Sequence, residues 1–229
     1  MNLILIGYGK MNRCVEDVAR EQGHRVEHIV RRAEDWRPGW TPGLVAIDFS
    51  VPSAVMEHLD QAMEAGIPMV IGTTGWTEQL PAARARVERA EVGAVYGANF
   101  SLGMQVFFEL AAAAAKMLPA SYDAFITEAH HRRKKDVPSG TALRLQAALA
   151  EAGRAGVAIS SVRAGAIPGT HTVGFDAEGE TITLTHTARS RRGFAEGALL
   201  AAQWVLGRRG WHEFRDIAPE LARPAGGRA

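Results

Sequence analysis

The sequence predicts an α/β chain: a parallel sheet with helices on both faces, then a mixed α+β region. Three observations lead there. Short apolar runs alternate with amphipathic segments as far as Asn99, the rhythm of parallel strands joined by covering crossovers. After Asn99 the rhythm changes to one long helical segment followed by β-rich stretches. A glycine-rich turn, Gly7-Tyr8-Gly9, joins the first apolar run to the first helix.

The elements follow in order. Leu3 to Ile6 is a short apolar run, the pattern of a buried strand. Met11 to Glu21 places Val15, Val18 and Ala19 at helical spacing. Val26 to Val30 reads as a second strand, and a Pro, Gly and Trp-rich loop runs from Trp36 to Gly43. Leu44 to Phe49 is a third strand, Ala54 to Ala65 a helix and Pro68 to Ile71 a fourth strand. Glu78 to Arg89 is a helix and Ala94 to Tyr96 a fifth strand. Beyond the change of rhythm, Leu102 to Met117 is a long helix whose alanine run is a good helix former. Tyr122 to Glu128 reads as a strand, a strongly basic loop follows, and Thr141 to Glu151 is a helix. Val157 to Arg163, Thr170 to Phe175 and Thr181 to Thr187 are β-rich, with Ala177 to Glu180 as a hairpin turn. A last helix spans Phe194 to Leu206, and the Gly/Pro/Arg-rich tail from Arg223 reads as frayed.

Composition narrows the classes. The 229 residues suffice for one or two domains with self-supporting cores. A net charge of +1 speaks against a general nucleic-acid or anionic-membrane binder. Cys14 is the one cysteine, so no intrachain disulfide forms, which fits a reducing compartment. No apolar run approaches the ~20 residues of a membrane span, and the reading is a cytoplasmic protein.

Gly7-Tyr8-Gly9-Lys10-Met11-Asn12 lies between a strand and a helix, the context of a dinucleotide fingerprint. Gly7 allows the tight turn, and Gly9 lets the backbone approach a pyrophosphate at the positive helix end. Asn12 stands where the third glycine is expected. Arg31-Arg32 closes the second strand. These guanidiniums serve either as a forked clamp on the 2′-phosphate of NADPH or as a solvated basic loop, so the reading leans to NADPH with NADH open.

Three segments carry a family resemblance: Ile71-Gly72-Thr73-Thr74-Gly75, Asn99-Phe100-Ser101-Leu102-Gly103, and the run from Glu128 to Ala142. The third resembles the E-x-H-H-x-x-K-x-D-x-P-S-G-T-A signature of dihydrodipicolinate reductases, also called 4-hydroxy-tetrahydrodipicolinate reductases. Arg163 to Val173 is similar to the family's R-x-G-x-x-x-G-x-H-x-V stretch. The short glycine loop departs from the commoner G-x-x-G-x-M-G form and resembles a compact bacterial variant.

The resemblance implies a Rossmann cofactor domain from residues 1–100 and 193–229. Residues 101–192 would form a substrate-binding and oligomerisation domain. It also implies a homotetramer, hinge closure and a small cyclic dicarboxylate imine as substrate. Lys134 is then the proton donor, with His130 assisting, and His131 and Lys135 hold carboxylates or tune the field. Ser139, Gly140 and Thr141 open a helix and offer anion-binding donors, compatible with plain N-capping by Ser139. Phe49, with Asp48 beside it, closes the third strand at the cofactor cleft. Gly72, Thr73 and Thr74, with the backbone at Gly97, Ala98, Asn99 and Phe100, frame the nicotinamide end. Arg191 and Arg192 are either a bridge between domains or surface charge. His171 and His186 read as packed strand histidines, and no metal site is expected because the histidines are scattered. Two other readings stay open: a reductase of another small imine or aldehyde, and a non-catalytic nucleotide sensor. The His130–Lys134 pair and the Gly140–Thr141 anion site favour the reductase of the dicarboxylate.

Overall fold

The computed structural model describes residues 1–32, 35, 36 and 43–222. The interior of the loop after Trp36 and the tail from residue 223 lie outside them. The chain divides into two units, Met1–Leu102 with Arg191–Ala229, and Gly103–Ser190.

The first unit starts with β1 (Asn2–Ile6), α1 (Lys10–Glu21), β2 (Arg25–Val30) and β3 (Leu44–Asp48). It continues with α2 (Val55–Glu64), β4 (Met69–Ile71), α3 (Leu80–Ala90) and β5 (Gly93–Tyr96). After the second unit the chain returns as α6 (Arg192–Val205), β10 (Gly210–Glu213) and α7 (Phe214–Leu221). The six strands pair in parallel in the order β10-β5-β4-β3-β1-β2. Strand order therefore reverses beside β1, which makes a crevice at the carboxyl ends of β1 and β3. This is a Rossmann-like sheet, as the alternation of elements predicts.

Residues alternate across each strand, so the sheet is apolar on both faces. Leu3 and Leu5 join a core with Val15 and Val18 of α1 and Ala198 and Leu199 of α6. Ile4 and Ile6 join the opposite core with Val55 and Leu59 of α2 and Ala83 and Val87 of α3. Burying such large aliphatics contributes about 1.5–3 kcal/mol each, before the entropy of ordering the chain.

The sequence reading contains neither β10 nor α7. Strand β10 has four half-buried residues, and Pro219 interrupts the helical signal of α7. Neither segment carries a periodic pattern long enough to stand out. Their stability comes from position: β10 pairs residue for residue with β5. Phe214 is buried and packs on Phe100, ring centroids 4.6 Å apart.

The second unit contains most of α4 (Leu102–Met117), then β6 (Asp123–His130), α5 (Gly140–Glu151), β7 (Ala158–Arg163), β8 (Thr170–Asp176) and β9 (Thr181–Thr187). Its sheet runs β7-β6-β8-β9. Strands β6 and β7 are parallel, joined by the α5 crossover, and the other pairs are antiparallel. Ala177 donates to the Glu180 carbonyl at 2.9 Å, closing the hairpin turn read from the sequence. Phe107, Phe108, Ile126, Leu145, Val173 and Phe175 form the core between this sheet and its helices. Among the described residues, no helix is long and apolar enough to cross a membrane.

Candidate functional site

The carboxyl ends of β1, β2 and β3 surround a cleft of 330 Å³. Gly7, Tyr8, Gly9, Arg31, Arg32 and Phe49 line it, joined by Ser50, Val51, Ala54, Glu57 and His58. Gly7 has φ +78°, and a Cβ there would stand 2.8 Å from both the Phe49 carbonyl oxygen and the Ser50 Cα. Only glycine fits that turn. Gly9 is the N-cap of α1 and supplies no side-chain cap, so the first amides of α1 are left for a ligand. An uncapped helix start, a glycine cradle and two arginines fit the phosphates of a dinucleotide.

Asn12 explains how the loop works without a third glycine. Its buried Nδ2 donates to the Ile6 and Gly7 carbonyls, both at 2.7 Å. The amide thus pins α1 to the end of β1, the close packing that a glycine there would otherwise allow.

Tyr8 packs against two cations, with the Arg13 and Arg31 guanidinium carbons 5.2 and 4.9 Å from its ring centroid. Its hydroxyl donates to Glu16, which raises the phenol pKa. Asp35 accepts from the Arg31 and Arg32 amides at 2.9 and 3.0 Å, and these bonds hold its carboxyl below the ordinary value. Glu27 pairs with Arg25 at 3.1 Å, within β2.

The floor of the cleft is a buried polar knot. Asp48 is fully buried and accepts from the Ser50 amide at 2.8 Å, the Ser50 hydroxyl at 2.7 Å and the Thr73 hydroxyl at 2.6 Å. His58 Nδ1 lies 2.8 Å from its other oxygen. The reading of Asp48 as a cleft-lining residue is corrected: it lies beneath the cleft, and Phe49 lines it. Thr73 is also buried, and its hydroxyl accepts from the Ser50 amide at 2.8 Å, so both its capacities are used internally.

Aromatic packing fixes the remaining strand ends. A Cβ on Gly72 would come within 2.0 Å of the Phe49 ring, and one on Gly97 within 3.0 Å of the Phe100 ring. Phe49 meets Phe100 edge-on at 6.0 Å. On α6, a Cβ on Gly197 would fall 1.7 Å from the Phe100 carbonyl oxygen. Phe100 is a core residue, 1% exposed, so its ring supports the cleft from within and is not itself a ligand contact. Ala98 and Thr74 are exposed, Asn99 half-buried, and Asn99 Oδ1 accepts from the Ser101 amide at 2.9 Å. Lys10, the first residue of α1, is exposed, and Met11 packs on the core. Arg192 pairs inside the first unit, with Glu21 and Glu196, each at 2.7 Å.

The second unit gathers the signature residues at the β6–α5 connection. Glu128, buried on β6, accepts from Arg163 Nη2 at 2.6 Å and from the Ser139 amide at 3.3 Å. Burial, the largest single influence, opposes its ionisation, but hydrogen bonds from Arg163 and Ser161 and the charges of His130 and Arg163 together outweigh it and bring the pKa to about 2. The same Arg163 nitrogen donates to the Asp136 carbonyl at 2.7 Å, so the basic loop hangs on this ion pair. The other Glu128 oxygen contacts His130 Nδ1. Burial lowers the His130 pKa, favouring a neutral ring with its proton on Nδ1. Gly169 backs this ring: a Cβ there would stand 3.2 Å from it. Lys134 Nζ pairs with Asp136 Oδ1 at 2.8 Å.

Ser139 caps α5, accepting from the Ala142 amide at 3.2 Å, and its hydroxyl lies 3.1 Å from His171 Nε2. The oxygen receives from Ala142 and is also engaged by His171 Nε2. The hydroxyl is committed to the protein and the Gly140 amide acts on the Asp136 carboxylate, which leaves the Thr141 amide and hydroxyl at this helix start as groups able to meet an anion. Burial lowers the His171 pKa to about 4. The Nδ1 atoms of His131 and His171 are buried without a hydrogen-bond partner, which suits a site that binds an anionic ligand.

The histidines are less scattered than the sequence implies. Polar atoms of Glu128, His130 and His171 lie within 4.8 Å of one another, the spacing of metal ligands. Arg163 already neutralises the carboxylate, however, and Lys134 adds positive charge to His130. The cluster is a packed polar support, tied to its surroundings through Arg163 and Ser139, and no metal is assigned to it. Glu128, Arg163, His171 and Gly169 are thus site residues without an assigned role in the sequence reading. Their signal was present, since each falls inside one of the two resembling stretches.

A solved structure of dipicolinate-bound dihydrodipicolinate reductase from Paenisporosarcina matches the fold with a TM-score of 0.79, at 23% identity over 95% of this chain and 99% of that one. The family model for the dihydrodipicolinate reductase N-terminus matches residues 35–100, and that for its C-terminus matches 103–217. The 4-hydroxy-tetrahydrodipicolinate reductase of Christiangramia forsetii is 35% identical over 96% of this chain and 99% of its own. That of Thiobacillus denitrificans is 43% identical over 76% of this chain and 72% of its own. The chain belongs to the dihydrodipicolinate reductase family.

Proposed function

We propose that the two sites serve one reaction, with the cofactor held by the first unit and a cyclic dicarboxylate by the second. The chain is an NAD(P)H-dependent oxidoreductase, a 4-hydroxy-tetrahydrodipicolinate reductase. The bound nicotinamide dinucleotide supplies the hydride. Gly7, Gly9 and the start of α1 hold its phosphates, and Arg31 with Arg32 holds the 2′-phosphate of NADPH. NADH remains a substrate at lower affinity. Phe49 and the backbone of Gly72–Thr74 and Gly97–Phe100 border the nicotinamide.

On the second unit, the α5 start and the unpartnered nitrogens of His131 and His171 bind substrate carboxylates once the loop that carries Lys134 moves. Lys134 Nζ moves from Asp136 to the substrate and gives up a proton where charge develops. His130, held by Glu128 with Nε2 unprotonated, orients the substrate as an acceptor. One observation carries this reading: the Glu128–Arg163 pair anchors His130, the Lys134 loop and the cap of α5 together. The test is a coupled assay in which a separate synthase makes the substrate from pyruvate and aspartate semialdehyde. Oxidation of reduced nicotinamide should require the synthase, both precursors and this protein. Folded, cofactor-bound protein that gives none would redirect the assignment to another imine or to a nucleotide sensor.

The homotetramer has separate support. By strand alternation, one sheet face of the second unit carries Phe125, Thr127, Ser160, Val162, Thr172 and Thr185, with no charge in these rows. Thr172 and Thr185 hydroxyls lie 3.0 Å apart, and Phe125 covers Gly174. Charge on this face is confined to the Asp123–Asp176 row at one end, and the uncharged rows beside it are a natural contact between copies. Val162→Arg should shift sedimentation towards smaller species, and an unchanged coefficient would remove this face from the assembly. The single cysteine and the use of reduced nicotinamide fit the cytoplasm.

A further inference from the structure

The buried Asp48–His58 pair is the titratable group of the cofactor cleft that the reaction above leaves without a task. Asp48 is unexposed; three donors converge on its Oδ1, and His58 Nδ1 lies 2.8 Å from its Oδ2. Facing a carboxylate oxygen at hydrogen-bond distance, the His58 nitrogen Nδ1 is read as the donor of that contact. The ring itself lines the cleft, on the same wall system as Gly7, Gly9 and Arg31. With Nδ1 turned to Asp48, Nε2 is the polar atom left for the cleft.

In its neutral form this ring presents a lone pair at Nε2, which repels a phosphate oxygen. With one more proton it becomes a donor, flanked by a carboxylate on one side and a phosphate on the other. The surrounding charges favour a change on binding. From β3 and the β4 end come Asp48, Ser50 and Thr73, and from α2 itself Glu57. Arg31, Arg32 and Tyr8 line the same cleft. Two guanidiniums oppose a third cation there until a polyanion neutralises them.

We propose that His58 is a cofactor-binding residue that takes up a proton from solvent as the dinucleotide binds, its imidazolium bridging the Asp48 carboxylate and a cofactor phosphate. The assignment rests on the nicotinamide-dinucleotide reading of the cleft. The complex then holds more protons than the free protein, so cofactor affinity falls as pH rises.

The experiment is titration calorimetry of NADPH and of NADH into the full chain at mildly alkaline pH, in buffers of different ionisation enthalpy. Net uptake approaching about one proton per dinucleotide is expected. Uptake with both cofactors assigns the bridge to the diphosphate, and uptake with NADPH alone assigns it to the 2′-phosphate. Binding with no buffer dependence overturns the proposal while leaving the cofactor reading intact, and binding of neither cofactor overturns both. His58→Gln keeps a donor for Asp48; it should bind the cofactor roughly tenfold more weakly and without uptake. Uptake that persists in a folded H58Q protein overturns the assignment to His58. If H58Q does not fold, the wild-type buffer dependence alone decides.

Discussion

The cofactor cleft and the β6–α5 connection solve anion binding in different ways. In the cleft, the binding groups are mostly backbone: a glycine turn, a helix start and strand ends locked by aromatic packing. Polar side chains at its floor, Asp48, Ser50 and Thr73, bond to one another and fix shape. At the β6–α5 connection the proposed groups are helix-start amides and the side chains of His130, His131, Lys134 and His171. A buried ion pair, Glu128–Arg163, does the fixing there. The contrast teaches that a rigid sheet edge can present main chain directly, whereas a loop needs a charged anchor of its own. Damage should therefore differ by region, with shape lost in the first and chemistry or acid stability lost in the second.

Lys134→Ala gives the sharpest break. It should lower kcat by about 10²–10⁴-fold, the usual contribution of a positioned acid, with cofactor affinity unchanged. A kcat near that of the wild type would remove Lys134 from the mechanism. Arg163→Leu tests the anchor. It leaves the Glu128 carboxylate buried and unpaired, a loss of about 3–5 kcal/mol. The tryptophans report only on the first unit, because all five fall before residue 103 or after residue 190. The variant should therefore lose β-sheet circular dichroism on heating before Trp fluorescence changes. Coincident transitions at the wild-type temperature would mean that the pair anchors nothing.

Cofactor choice separates the regions further. Replacing Arg31 and Arg32 together with Ala should weaken NADPH by roughly 10–100-fold and leave NADH nearly unchanged. Equal losses for both would make the arginines general surface charge.

Acid stability gives the smallest and most graded effect. His171 titrates near 4 in the fold, below its ordinary value of 6.5, so it binds its proton more readily when unfolded. Its contribution is complete above pH 6.5 and is lost as pH falls through 4. Glu128, at about 2 against an ordinary 4.5, loses its contribution lower, between pH 4.5 and 2. Both groups lie in the second unit, so acid should weaken it in two stages. His171→Asn should flatten the upper stage in denaturant titrations, and an unchanged slope would place the acid sensitivity elsewhere.

Much of this was legible in the sequence. Leu3 to Ile6, the following glycines and the strand–helix alternation announce the parallel sheet and its crevice. The run from Glu128 to Ala142 announces the family and the β6–α5 connection. What escaped reading was whatever depends on residues distant along the chain. Strand β10 is weak as a sequence and stable only beside β5. Phe214 supports Phe100 and through it Phe49, although more than a hundred residues separate the first two. Asn12 looked like a flaw in the fingerprint until its amide was seen holding the end of β1.

The sequence by itself determined the fold class, the family and most residue types at both sites, because periodicity, glycine turns and signature spacing are local properties. Only the tertiary structure decided which polar groups remain free for a ligand. It committed the Ser139 hydroxyl to His171, the Thr73 hydroxyl to Asp48 and the Glu128 carboxylate to Arg163. It also gathered His130 with His171 and placed His58 in the cleft. The physical reason is that a buried polar atom must find a partner, and that partner is chosen by three-dimensional proximity rather than by sequence distance.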